Sequence, residues 1–274
     1  MPCEERSCSL FYRLGDWPAH AMIEHFIRVD DVDSEESNLE RLVSMALKLR
    51  VPISLGIIPA TLTNGVATFL NSVKRRHPEL IELHQHGWAH VNHERDGRKG
   101  EFGPARPYDR QREDLRQGRD TLEQLFGDGF FPAFSPPWNV YTADTIRAMT
   151  ELGFRVLSAG WHDFGVNAGK IHRYSSTVDL MDWDAAGRLR TLPRLFMPLA
   201  GLLAKARGPV GLLLHHRTMA PADFGILESM LHRLTQTDKV AVHTFESLEM
   251  KRLRALGEPA WIQTTALYGG NDGK

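Results

Sequence analysis

Cysteine is nearly missing: Cys3 and Cys8 are the only two in 274 residues. That excludes a disulfide framework, and a reducing, cytoplasmic setting is the simpler expectation. A surplus of one charge is missing too. With 33 Lys and Arg against 34 Asp and Glu, the formal net charge is -1, which offers no basic field for nucleic acid or an anionic membrane. No apolar run is long enough to span a bilayer, and Met1 to Ser9 is acidic and polar where a signal peptide would be basic and then apolar. Repeats and low-complexity tracts are also lacking. What is present is 42% hydrophobic residues, enough to bury a sizeable core. The expected partner is a small molecule or saccharide, with a homo-oligomer left open.

Histidine is concentrated in one place. Four of the thirteen fall in the stretch Leu83 to His93, Leu-His-Gln-His-Gly-Trp-Ala-His-Val-Asn-His. A helical turn there would bring His86 and His90 to one face, within reach of one ion. A zinc-protease helix would carry Glu beside the first histidine, but Gly87 stands there, so a general base must come from elsewhere. Taken alone, such a pair is more often a solvated or core cluster.

The rest of the chain supplies context. Met22 to Val29 reads as a strand ending at Asp30-Asp31-Val32-Asp33, with Ser34 capping a helix whose apolar positions run from Leu39 to Leu47. Strands at Ile53–Ile58, Leu80–Leu83, Phe130–Ser135, Arg155–Ser158, Thr177–Asp182, Val210–Leu214 and Val240–Val242 alternate with helices around Val66–Val73, Leu115–Phe126, the segment after Thr142, Leu195–Ala206 and Phe224–Leu234. Glu94 to Pro107 reads as a long surface loop of the kind that often serves a site. The alternation predicts parallel strands covered by helices. Polar clusters follow one strand end after another (Asp30-Asp31, His86, Trp138, Asp182, His215), which favours a barrel with its site on one rim over an open sheet.

Asp30-Asp31, His86-Gly-Trp-Ala-His90, Pro136-Pro137-Trp138-Asn139, Asp179-Leu-Met-Asp182-Trp183 and Leu213-Leu214-His215, in this order, resemble the motifs of the polysaccharide deacetylase family, the NodB-like carbohydrate esterases. The resemblance covers about residues 22 to 250 and implies an α/β fold, a distorted barrel of about seven β/α units. It divides the chain into an N-terminal extension (1–21), the barrel (22–255) and a C-terminal tail (256–274). It also implies a divalent metal, usually zinc, held by Asp31, His86 and His90, with Asp30 as general base. His215 would be the acid, oriented by Asp182, and a backbone N–H of the Pro136–Asn139 turn would help the metal stabilise the oxyanion. Pro137, Trp138, Asn139, Trp183 and His216 would form the pocket. The implied reaction is metal-dependent hydrolysis of a non-peptide C–N amide bond, above all deacetylation of an N-acetylated sugar. The alternatives are an amidase on a non-sugar substrate and a catalytically silent barrel.

The departures carry expectations of their own. Ser135 stands where the family commonly has an arginine holding the catalytic aspartate, so Asp30 is expected to lack a cationic partner. His216 competes with His215 as the acid. His84 and His93 read as surface or outer-shell residues, Asp33 and Asp179 as structural, and Arg106 and Arg110 as part of a solvated loop. Trp161, His162 and Asp163 could line the rim, and Trp261 and Tyr268 belong to a packing tail.

Overall fold

The computed structural model describes residues 22–34, 37–160, 169–185, 188–190 and 208–257. The 1–21 extension, nearly all of the 256–274 tail, the expected Leu195–Ala206 helix and the Trp161-His162-Asp163 triplet lie outside the described residues.

Strands β1 (Ile23–Val32), β2 (Ile53–Ile57), β3 (Ile81–His86), β4 (Phe130–Ser135) and β5 (Val156–Leu157) pair in parallel, each with the next. The chain then forms β6 (His172–Arg173) on β5 and β7 (Ser176–Asp179), with a parallel bridge between Gly160 and Ser176. A short antiparallel ladder, β8 (Met181–Asp182) with β9 (Arg188–Leu189), precedes β10 (Val210–His215), which lies between β7 and β1. β6 and β7 thus act as two halves of one strand joining the ends of the sheet. The result is the expected distorted α/β barrel, with β11 (Val240–His243) as an extra parallel strand beside β1.

The expected single strand Thr177–Asp182 is broken, because Asp179 Oδ1 accepts from Met181 N–H at 2.9 Å and turns the chain out of the barrel.

The helices follow their apolar periodicity. In α1 (Ser37–Leu49), Leu39, Leu42, Val43 and Ala46 form one buried face. Ser34 does not cap it. Ser34 lies ahead of the first turn and bonds Asp33 instead. α2 (Asn64–Arg76) is capped by Thr63, α3 spans Tyr108–Phe126, and α4 (Ala143–Glu151) carries the expected Thr142 cap as a capping box with Thr145. α5 (Pro221–Thr235) is followed after β11 by α6 (Phe245–Ala255), which the sequence pattern did not signal. No helix of the described residues is long and apolar enough to cross a membrane.

Alternation along each strand separates two interiors. Outward-facing Ile27, Val29, Ile53, Leu55, Ile57, Leu83, Leu212 and Leu214 pack under the helices in the main core, and each such burial contributes about 1.5–3 kcal/mol. Inward-facing residues form layers along the barrel axis. Phe26, Phe131, Ala133, Val156 and Tyr174 make an apolar floor with Phe245 and Leu248 of α6. Above it lie Arg28, His84 and Ser158, all fully buried. The mouth carries Asp30, His86, Ser135 and His215.

Candidate active site at the barrel mouth

Two adjacent residues of a regular strand point to opposite faces, so Asp30 and Asp31 could not both serve one site without a local irregularity. β1 supplies one. Its register with β2 shifts between Val29 and Val32, and Asp31 adopts φ 64°, so both carboxylates reach the cavity. β1 therefore runs past the expected end at Val29. Three more non-glycine residues with positive φ, His90 (55°), Trp138 (55°) and Asn139 (57°), also line this cavity, and such conformations cluster at functional sites.

Asp31 Oδ1 lies 3.3 Å from His86 Nε2 and 3.2 Å from His90 Nε2. It is buried and has no hydrogen-bond partner among the described residues. The ligand atoms of the three residues all fall within 4.8 Å of one another. An orphaned carboxylate oxygen facing two imidazole nitrogens fits a divalent cation. The expected helical turn is absent: His86 ends β3, and His90 returns to it from a left-handed bend in the following loop. His86 Nδ1 lies 3.0 Å from the Ser135 carbonyl oxygen and 2.9 Å from its Oγ. A carbonyl only accepts, so Nδ1 carries a proton and Nε2 is the nitrogen that can be offered to a metal.

Ser135 Oγ is also 3.1 Å from His84 Nε2. His84 is fully buried, not on the surface, and burial lowers its pKa to about 3, so it stays neutral.

The expectation that Asp30 lacks a cation is overturned. Arg28, two residues earlier on the same strand face and fully buried, donates from Nη2 to Asp30 Oδ2 (2.9 Å) and Asn139 Oδ1 (2.8 Å). Its Nη1 donates to Ser158 O (2.7 Å) and Oγ (3.1 Å). Strand alternation held the signal, because residues i and i+2 share a face. Burial pushes the Asp30 carboxyl up, but Arg28, His86 and His215 overcome it and leave the pKa below its ordinary value. Asp31 is likewise held low, the imidazoles of His86, His215 and His90 outweighing burial.

The cavity, about 570 Å³, is lined by Asp30, Asp31, His86, His90, Trp138, Asn139, Trp183 and His215 among others. His90 packs against Trp138 with ring centroids 4.3 Å apart. Across the cavity, Trp183 meets His215 edge-on at 4.8 Å. Pro137, Asp182 and His216 are buried and lie outside this lining. His216 follows His215 past the end of the strand, so it leaves the inward-facing row. Asp182 sits in the β8–β9 ladder opposite Arg188. Asp179 does line the cavity, and its Oδ2 accepts from Trp183 Nε1 at 2.7 Å.

The expected surface loop after β3 is partly core. Gly100 to Gly103 are buried, and Glu101, only 1% exposed, accepts from Trp88 N (3.2 Å) and Ala89 N (2.8 Å), bracing the turn that carries His90. Gly87 is required there, since its φ is 63° and a Cβ would stand 2.1 Å from Glu101 Oε2. Arg106 is not loosely solvated but pairs with His93 and Asp114.

A β/α barrel with carboxylates and imidazoles gathered at the strands' C-terminal mouth defines the class. Residues 29–157, from β1 to β5, match the polysaccharide deacetylase family model. Among solved structures, a candidate polysaccharide deacetylase from Mycobacterium smegmatis is similar at TM-score 0.65 and 16% identity, over 89% of this chain and 94% of that one. A family 4 acetyl xylan esterase from Clostridium thermocellum, in complex with a cobalt ion, aligns at TM-score 0.54 and 12% identity, over 85% and 93%. A carbohydrate esterase family 4 pseudoenzyme from Bacillus anthracis aligns at TM-score 0.55 and 14% identity, over 84% of this chain and 66% of that one. At these identities the likeness is one of fold. No curated protein matches the sequence.

Proposed function

We propose that the protein is a metal-dependent hydrolase of a non-peptide C–N amide bond that removes the acetyl group of an N-acetylated sugar. The observation that carries this reading is the convergence of Asp31, His86 and His90 beside Asp30 and His215 at one cavity. Asp31, His86 and His90 would hold a divalent cation, and one carboxylate with two imidazoles suits zinc. Such a cation supplies Lewis acidity towards the acyl oxygen and the attacking water.

The chain's own groups do the rest. Asp30, kept ionised by Arg28, takes a proton from the attacking water as its oxygen bonds to the acyl carbon. In the Pro136–Asn139 turn the prolines have no N–H and that of Asn139 is used on Pro136 O (2.9 Å), so Trp138 N–H is the remaining donor for the developing oxyanion. His215 passes a proton to the nitrogen as the C–N bond breaks, releasing an amine and acetate. Trp138 and Trp183 flank the cavity and suit the apolar C–H faces of sugar rings. Asp179, by fixing Trp183 against His215, adds to the positioning expected of Asp182.

Acetate release from N-acetylglucosamine derivatives by the metal-loaded protein, set against a panel of simple amides, tests this reading. Turnover lost in Asp30→Asn with metal retained supports it. Activity on the amides alone makes the protein an amidase, and a metal-loaded protein inert on every compound makes it a silent barrel like its Bacillus anthracis neighbour.

A further inference from the structure

The tip of the loop between β3 and α3 enters the cavity, and the proposed chemistry makes no use of it. The tip is pinned at its neck. His93 N–H donates to Gly100 O at 2.9 Å, and Asn92 Oδ1 accepts from Glu94 N at 3.1 Å and Gly100 N at 2.9 Å. Between these bonds stand five charged residues, Glu94, Arg95, Asp96, Arg98 and Lys99. Only Arg98 and Lys99 line the cavity, and both are cations. Arg98 is held there, its Nη2 donating to the Trp138 carbonyl at 2.8 Å.

The lining is also polarised from side to side. Trp183, His215 and the Asp179 carboxylate stand on one flank, and Trp138, packed against His90, stands with Arg98 and Lys99 on the other. A neutral sugar would gain only hydrogen bonds to its hydroxyls from two cations on one flank, whereas a sugar with an anionic group would also be oriented by their charge.

We propose that Arg98 and Lys99 form a subsite for an anionic substituent, carboxylate or phosphate, on the N-acylated sugar. This rests on the deacetylase reading. The anion seats beside Trp138, which directs the leaving nitrogen towards His215. Arg98 brings the planar fork that suits either oxyanion, and Lys99 adds a point charge.

The test compares N-acetylglucosamine, its 6-phosphate and the corresponding 2-acetamido uronic acid as substrates of the metal-loaded protein. The proposal expects kcat/KM to favour at least one anionic sugar over the neutral one by about five- to tenfold, the scale of two partly exposed ion pairs. Which anionic sugar gains identifies the group. The preference should sit mainly in KM, shrink at high salt, collapse towards unity in the Arg98→Ala/Lys99→Ala double variant and survive in Arg95→Ala. No preference, or one that persists in the double variant, overturns the proposal while leaving deacetylation intact. Should no sugar turn over, calorimetric binding to the metal-loaded Asp30→Asn protein decides. Anionic-selective binding lost in the double variant supports the subsite although deacetylation has failed, and equal or absent binding overturns it.

Discussion

Glu82 and His86 face the same barrel interior from the same strand, one at its base and one at its mouth, and the two ends treat buried charge in opposite ways. At the base the Glu82 carboxylate is turned inward on the fold. Glu82 accepts from Phe245 N (3.2 Å) and Glu246 N (2.7 Å), the first amides of α6, and burial raises its pKa to about 7. His84, above it, stays neutral. At the mouth, burial is overcome. Asp30 and Asp31 are held ionised by Arg28 and three imidazoles, and Asp31 Oδ1 is left without a hydrogen bond. Polar groups that satisfy one another close a fold. Polar groups that converge without satisfying one another are set for a ligand.

The comparison breaks if substitutions at the two ends have the same consequences. The largest effect belongs to the mouth. Asp30→Asn should lower turnover by about 10²–10⁴-fold with metal content and melting temperature kept, whereas His86→Ala should lose the metal itself, as read by elemental analysis. Arg28 lies between the ends and should affect both. Arg28→Met leaves Asp30 buried without its cation, a loss of about 3–5 kcal/mol in urea denaturation together with a fall in kcat. A smaller effect is set by pH. Burial holds His25, on the outer face of β1, at about 4 against an ordinary 6.5, so the unfolded chain takes up its proton first as pH falls. Stability should therefore be full above about pH 6.5 and decline towards pH 4 by up to about 3 kcal/mol, and His25→Gln should flatten that decline. The smallest belongs to the base. Glu82→Gln should cost about 1–3 kcal/mol while metal content and kcat stay unchanged, and a loss of activity there would erase the distinction between the two ends.

Much of this architecture was legible beforehand. The alternation of strands and helices pointed to the barrel, and five polar clusters at strand ends pointed to its mouth. What escaped were features with no period. Asp179 and Asp182 cannot be told apart by spacing, because the turn at Leu180 decides which carboxylate stays with the barrel. Glu101 and Phe102 sit in a glycine-rich, charged stretch that reads as surface, yet they fold back against the turn and the core. Arg28 was readable from alternation, but a charged residue in an apolar strand suggests an exposed position until its partners are known.

By itself the sequence determined which side chains are available and on which face of which strand most of them stand, since hydrophobic period and turn residues act locally. Only the tertiary structure decided that Asp31 swings in through a bulge, that His90 returns from a bend to meet His86, and that the cation beside Asp30 comes from β1 and not from the strand leading to Pro136. Those outcomes depend on contacts between residues up to 130 positions apart, such as Arg28 with Ser158, and no local pattern records a partner that distant.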